Sequence, residues 1–240
     1  MSKFLLIESG TNVCSVAISV DGKVVGLKES SDEKAHASQL TLFIDRLTQE
    51  TGISISNLDA VVVSKGPGSY TGLRIGVSAA KGICYAAEKP LISINSLDSM
   101  VYGATTLYQS IIERDSIDYY CPMIDARRME VYTALYDKSF GKIKDIEAQV
   151  VDEKTFKDIL DNKKILFFGN GAIKCRNTIN HHHAYFADNF LPSSKFMIPL
   201  ALDAFSNQTF EDVAYFEPYY LKDFVATVSQ KDLIPGLQKT

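Results

Sequence analysis

The chain opens on an apolar run, KFLLIE (3–8), then a turn cluster, SGTN, then a second apolar run, CSVAISV (14–20). Asp21-Gly22 follows, and KVVGLKES (23–30) returns. An Asp-Gly pair accepts the positive φ angles of a two-residue hairpin, so this stretch predicts a meander of three strands. From 35 to 50 the period changes. Leu40, Phe43, Ile44 and Leu47 fall at the i, i+3, i+4, i+7 spacing of one buried helical stripe, with Gly52 just past the end as a C-cap. Leu42 lies on the opposite face, either a lone exposed leucine of no consequence or a partner contact. AVVVS (60–64) is apolar throughout, as suits a strand covered on both faces. A helix over 71–87, a strand PLISIN (90–95) and a helix over 96–108 complete a mixed sheet flanked by helices.

A polar stretch, ERDSID (113–118), leads into the second half. YYCPMIDARRMEVYTALYD (119–137) reads as two strands, FGK (140–142) as a turn and IKDIEAQVV (143–151) as another strand. EKTFKDILD (153–161) reads as a short helix, KILFFG (164–169) as a buried strand and ALDAFSNQTF (201–210) as the last helix. The pattern predicts two α/β domains, 1–110 and 111–240, packed with a cleft between them. The tail FVATVSQKDLIPGLQKT (224–240) reads either as disordered or as docked on a partner.

Composition narrows the classes. A chain of 240 residues, 46% hydrophobic and 22% charged, is globular rather than disordered or fibrous. Lys+Arg number 25 and Asp+Glu 29, a net charge of −4, so there is no general pull toward nucleic acid or anionic membranes. Contact with RNA would need another subunit to supply positive charge. Cys14, Cys84, Cys121 and Cys175 are scattered with no C-x-x-C pair, which predicts buried, reduced thiols. The first apolar run is too short for a signal peptide, and no run is long enough to span a bilayer, so a cytoplasmic location is expected.

Chemistry concentrates in SKGPGSYTGLRIGVSAAKG (64–82). A buried strand meets a glycine-rich loop and then a helix N-terminus, with Ser69 or Thr71 placed to cap it. Such a loop is either a tight turn or an anion site built from free N–H groups. It is neither a Walker A loop nor a dinucleotide fingerprint. Gly72, Gly76 and Gly82 each cost a helix about 1 kcal/mol relative to alanine. Gly72 and Gly76 share one smooth face with Ala79, Ile83 and Ala86, which invites close approach of another backbone. That backbone is either the 35–50 helix or a helix of a second subunit. Arg74, Ser78, Lys81 and Tyr85 mark a narrow polar side.

In IDARRMEVY (124–132), strand alternation would send Asp125 and Arg127 to one face and Arg128 and Glu130 to the other. The segment is either a solvated ion-paired face or a cleft wall for an anion. Histidines 181, 182 and 183 are expected to point in alternate directions, so no metal site is predicted there.

LLIESGTNVCSVAI, GPGSYTGLRIGVSAAKG, IDARRMEVY, FFGNGA and EPYYLK, in this order across residues 4–222, resemble the TsaB (YeaZ) family. Its members work in bacterial synthesis of threonylcarbamoyladenosine, a tRNA modification beside the anticodon. The superfamily is glycoprotease-like. The resemblance implies the actin, sugar kinase and Hsp70 ATPase fold, two related α/β domains around a nucleotide cleft. It implies a non-catalytic subunit that supports the transferase TsaD together with the small ATPase TsaE. TsaD carries a metal-binding H-x-x-x-H after its fifth strand, where this chain offers Ser96 and Met100, poor metal ligands. The resemblance places partner contacts on Leu40, Phe43 and Leu47 of one helix and on Thr71, Leu73, Arg74, Val77 and Ala80 of the next. The same surface would make a homodimer when the chain is alone. An ATP or ADP molecule, weakly held, would meet Glu8, Ser9, Thr11, Gly68, Ser69, Asp125, Arg127, Gly169 and Gly171. Glu8 stands where the fold's phosphate motif usually has Asp, which argues against hydrolysis, and Lys222 stands where the late motif often has Arg, which loses bidentate reach. The alternatives are a glycoprotease-type metallopeptidase and a small-molecule kinase.

Overall fold

The computed structural model describes residues 1–32 and 35–222, so the predicted tail 224–240 lies outside the described residues. The first sheet holds β1 (Lys3–Glu8), β2 (Cys14–Val20), β3 (Lys23–Ser30), β4 (Ala60–Gly66) and β5 (Leu91–Asn95). Its order is β3-β2-β1-β4-β5, antiparallel through the meander and parallel from β1 to β5. The second sheet holds β6 (Tyr119–Asp125), β7 (Glu130–Tyr136), β8 (Lys142–Val150), β9 (Ile165–Phe168) and β10 (Ala184–Phe186). Its order is β10-β9-β6-β7-β8. Read from the first strand of each half, the two sheets have one topology: a meander, then two parallel strands on the other side. Two related α/β halves of this kind are the arrangement expected of the actin, sugar kinase and Hsp70 ATPase class.

The helices sort the apolar residues into layers. Leu5, Ile7, Val61 and Val63 share a core with Leu40, Phe43 and Leu47 of α1 (Ala35–Thr51) and Val77 and Ala80 of α2 (Tyr70–Ala87). The alternate residues Phe4, Leu6, Ala60 and Val62 face Ile198 and Ala201 of α7 (Ile198–Ser206). Strand periodicity therefore puts a core on each face of the sheet, which explains why β1 and β4 read as nearly unbroken apolar runs. Between the sheets, α3 (Ser96–Leu107) sends Leu97, Met100, Val101 and Ala104 into the core of the second sheet, with α4 (Gln109–Asp115) behind it.

The hairpin at Asp21 (φ 47°) and Gly22 (φ 78°) and the end of α1 at Gly52 (φ 68°) form as the sequence predicts. The 153–161 helix does not. Only α5 (Lys157–Leu160) is helical, because the Asp152 carboxylate accepts from the Lys154 and Thr155 N–H groups and Phe156 takes φ 67°. IDARRMEVY is not a continuous strand either. It is the β6–β7 hairpin, with Arg127 (φ 68°) and Arg128 (φ 45°) at its tip. Asp125 Oδ1 accepts from the Arg127 N–H at 2.8 Å, an Asx turn that breaks the expected alternation. The short helix α6 (Ala172–Cys175) and the strand β10 were not anticipated. All four cysteines are buried and free, as expected.

Candidate functional site

The glycine-rich loop between β4 and α2 is pressed against the turn between β1 and β2. The Ser69 N–H donates to the Gly10 carbonyl at 2.7 Å, and the Ser9 hydroxyl donates to the Gly72 carbonyl at 2.9 Å. A Cβ at Gly68 would lie 2.0 Å from the Gly10 oxygen, and one at Gly72 would lie 2.1 Å from the Ser9 oxygen. The smooth face of α2 thus meets the end of β1 and the turn after it. It does not meet α1 or a second subunit at Gly72 and Gly76, whose Cβ would clash with Ser9 Oγ at 2.1 Å. Of the two predicted caps, Ser69 acts: its hydroxyl accepts from the Gly72 N–H at 3.3 Å. Ser69→Ala is expected to cost about 0.5–1 kcal/mol. Differential scanning calorimetry should show this as a drop of roughly 1–4 °C.

Glu8 ends β1 inside this contact and is 1% exposed. Its Oε1 accepts from the Gly10 N–H at 2.7 Å, while Oε2 has no hydrogen-bond partner among the described residues. Burial drives its pKa up to about 7, and hydrogen bonding from Gly10, Ser64 and Ser9 offsets this only in part. Next to it, the Ser64 and Ser96 hydroxyls bond at 2.7 Å. A triphosphate at the β1–β2 turn would need exposed N–H donors and an ionised carboxylate. Ser9 and Thr11 are buried, the Ser69 N–H is already used, and burial resists ionisation of Glu8. The residues present at this turn do not fit that group.

The nine residues predicted to meet nucleotide fall into two groups. Glu8, Ser9, Thr11, Gly68 and Ser69 form the closed contact just described. Asp125, Arg127, Gly169 and Gly171 gather at the open end of the second sheet, where Asn170 Oδ1 accepts from the Asp125 N–H at 3.0 Å and Lys174 pairs with Asp125. Gly169 (φ 99°) and Gly171 wrap the Met123 carbonyl, which accepts from the Gly171 N–H at 3.0 Å. No hydrogen bond or ion pair among the described residues joins the two groups. A cavity of about 400 Å³ does lie between the halves, but Lys65, Asn95, Asp98, Lys142, Asp145 and Tyr219 wall it, with Ile146, and none of the nine does. Its two lysines face two aspartates. Asp98 accepts from the Tyr136 hydroxyl at 2.6 Å and pairs with Lys142 at 3.0 Å, so the wall is largely self-neutralised.

The predicted partner residues also divide. Leu40, Phe43, Leu47, Leu73, Val77 and Ala80 are buried in the chain's own core, so they cannot present a surface. An amphipathic stripe states that something covers it, and here β1, β2 and β4 do. Thr71 and Arg74 are exposed, and with Ser78, Gly82 and Tyr85 they form one exposed stripe of α2 within roughly 80° of arc. Leu42 is exposed on α1, as expected.

The late EPYYLK motif ties the two halves together. The Lys81 ammonium donates to the Phe216 carbonyl at 2.8 Å, and the Tyr219 N–H donates to the Lys65 carbonyl at 2.7 Å. Tyr220 packs on Tyr70 with ring centroids 4.7 Å apart, and Lys222 pairs with Glu130 of the second sheet. The segment is a strap that runs over α2, holds the glycine loop and ends on the β6–β7 hairpin. Two adjacent tyrosines in a polar stretch were the available signal.

A family model described as TsaD, tRNA N6-adenosine threonylcarbamoyltransferase, matches residues 23–228. The chain is 26% identical to the "tRNA threonylcarbamoyladenosine biosynthesis protein TsaB" of Haemophilus influenzae, covering 92% of this chain and 94% of that one. It is 27% identical to the protein of the same description from Escherichia coli, covering 93% and 96%. A solved structure described as YeaZ from Pseudomonas aeruginosa superposes with a TM-score of 0.78 at 21% identity, covering 92% of this chain and all of that one.

Proposed function

Because the chain belongs to the TsaD family and, within it, to the TsaB (YeaZ) proteins, we propose that it is the non-catalytic partner subunit in tRNA threonylcarbamoyladenosine biosynthesis. In this role it supports a TsaD-type transferase, with a TsaE-type ATPase as the third member, and reaches tRNA only through the assembly. The observation that carries the reading is the packing around Ser96 and Met100. By the resemblance they stand where TsaD carries its metal-binding histidines, and both are buried. The Ser96 hydroxyl bonds to Ser64, and the Met100 methyl lies against Gly169. A thioether and a hydroxyl locked into the core replace two imidazoles open to a metal, so the space of a catalytic centre is filled by packing. The closed β1–β2 turn and the burial of Glu8 argue the same way against phosphoryl chemistry at that turn.

The exposed stripe of α2, with Arg74 and Tyr85, is the surface proposed for the TsaD-type partner and for self-association. Val77→Arg would bury a charge in the core and unfold the chain, whereas Tyr85→Glu alters only the surface. The test is transfer of the threonylcarbamoyl group to tRNA by the cognate TsaD and TsaE, read by nucleoside mass spectrometry. Adding the chain is expected to raise transfer by about tenfold or more, equivalent to about 1.4 kcal/mol. The chain alone should give none. Tyr85→Glu should keep its melting temperature but lose both co-elution with TsaD and the stimulation. Modification by the chain without TsaD, or full TsaD activity without the chain, would overturn the reading.

A further inference from the structure

We propose that His181, His182 and His183, with Asp161, form a surface site for a divalent transition-metal ion of the zinc class. The site is independent of the tRNA-related reading above. Consecutive histidines were expected to alternate, as in a strand. Instead the chain turns here. The Ala184 N–H donates to the His181 carbonyl at 3.0 Å, and that turn brings three successive side chains to one side. Their ring centroids lie 4.0–5.5 Å apart, and one ligand atom from each falls within 4.8 Å of the others.

The surroundings supply the rest of a ligand set. His183 Nδ1 is 2.8 Å from the Leu160 carbonyl. A carbonyl only accepts, so Nδ1 carries the proton and Nε2 keeps its lone pair. A backbone oxygen orienting the far nitrogen is the usual outer support of a metal-binding imidazole. His181 Nε2 lies 3.6 Å from Asp161 Oδ1, an oxygen that also accepts from the exposed Lys157 ammonium at 2.9 Å and that a divalent ion would take over. Two ligands on one tetrahedral ion with bonds of about 2.0–2.1 Å sit roughly 3.4 Å apart, so this pair is already close to one edge of a site. Ligation by His181 Nε2 moves its proton to Nδ1 and gives up the 3.1 Å contact from the His183 N–H. His182 is the exposed member, free to swing onto the ion. Imidazoles with one carboxylate suit zinc, copper or nickel, whereas magnesium and calcium prefer all-oxygen sets. A bound ion would clip the end of α5 to the turn that enters β10, the edge strand of the second sheet.

The test uses the full chain without any affinity tag. Calorimetric titration with zinc chloride is expected to show one ion per chain, with magnesium giving no heat. Asp161→Asn and His182→Ala should each weaken zinc binding by about tenfold or more. Asp161 reads whether the folded site, rather than a bare run of histidines, holds the ion. Both positions are outside the core, and circular dichroism checks that each variant is folded. The cobalt-substituted protein should lack a thiolate charge-transfer band, because the four cysteines are buried. No zinc binding at millimolar concentration, binding by either variant as tight as the parent's, or a thiolate band would overturn the proposal.

Discussion

Gly72→Ala is expected to lower the melting temperature by roughly 6–12 °C, and Gly82→Ala, further along the same helix, to raise it by about 2–4 °C. The two glycines look alike in the sequence and carry the same helix penalty of about 1 kcal/mol. They differ in what stands beside them. A Cβ at Gly72 would sit 2.1 Å from the Ser9 carbonyl oxygen, a backbone atom that cannot rotate away. To admit it, α2 must lift off the β1–β2 turn. That motion breaks the Ser9–Gly72 bond and strains the Ser69–Gly10 bond. Overpacking against backbone with loss of those contacts costs about 3 kcal/mol. Nothing lies within 4 Å of the Cβ position at Gly82, which is exposed. There alanine keeps only the gain in helix propensity. Scanning calorimetry of both variants decides the matter. Equal shifts would mean that the loop does not rest on the turn.

The same pair of residues marks how far the sequence was legible. Local chemistry was readable: Asp21-Gly22 gave a hairpin, Gly52 a helix end, and Leu40, Phe43 and Leu47 a covered stripe. What covered the stripe was not readable, because periodicity records burial and not the identity of the neighbour. Assigning Leu40, Leu73, Val77 and Ala80 to a partner rested on resemblance; the chain's own sheet core occupies Leu40, Val77 and Ala80, and Leu73 is buried against the turns at Gly10 and Gly66. Of the residues on the narrow polar side of α2, Arg74, Ser78 and Tyr85 are exposed. The repeated strand order of the two sheets depends on pairings between distant residues, such as Phe4 with Ala60 and Tyr119 with Ile165, which no local pattern encodes. The candidate site was half legible. Glu8, Ser9, Thr11, Gly68 and Ser69, named together as nucleotide contacts, do lie together, but the Ser69 N–H is spent on the Gly10 carbonyl. Two strands over 119–137 were legible, but the turn that joins them at Arg127 and Arg128 was not, because positive φ at non-glycine residues and the Asp125 side-chain cap override strand alternation; the turn at His181 went unread as well.

Glu8 should make the chain lose about 3 kcal/mol of stability as pH rises from about 4.5 to about 7, and Glu8→Gln should remove that loss. The folded pKa, about 7, lies above the ordinary 4.5, so across this window the folded chain holds a proton that the unfolded chain has released. Raising pH therefore favours unfolding, by up to roughly 1.4 kcal/mol per unit. The contribution is complete below about 4.5 and is lost once pH passes the folded value. The lowered pKa of His181, caused mainly by desolvation and then by His182 and His183, acts in the opposite direction, because there the unfolded chain holds the extra proton. The depressed carboxyls of Asp152 and Asp161 act only below about 3.8, outside the window. Cys14, the closest buried thiol to be affected, is pushed up to about 11 and is silent. Glutamine keeps an acceptor for the Gly10 N–H but cannot ionise, so any fixed cost of its amide N–H groups cancels in a comparison across pH. Urea denaturation of both proteins from pH 4.5 to 8 gives the difference directly. If the variant gains nothing relative to the parent as pH rises, Glu8 ionises normally. The turn it sits in would then be wet enough to meet a phosphate, and the argument for a closed, non-catalytic site would lose its support from that side.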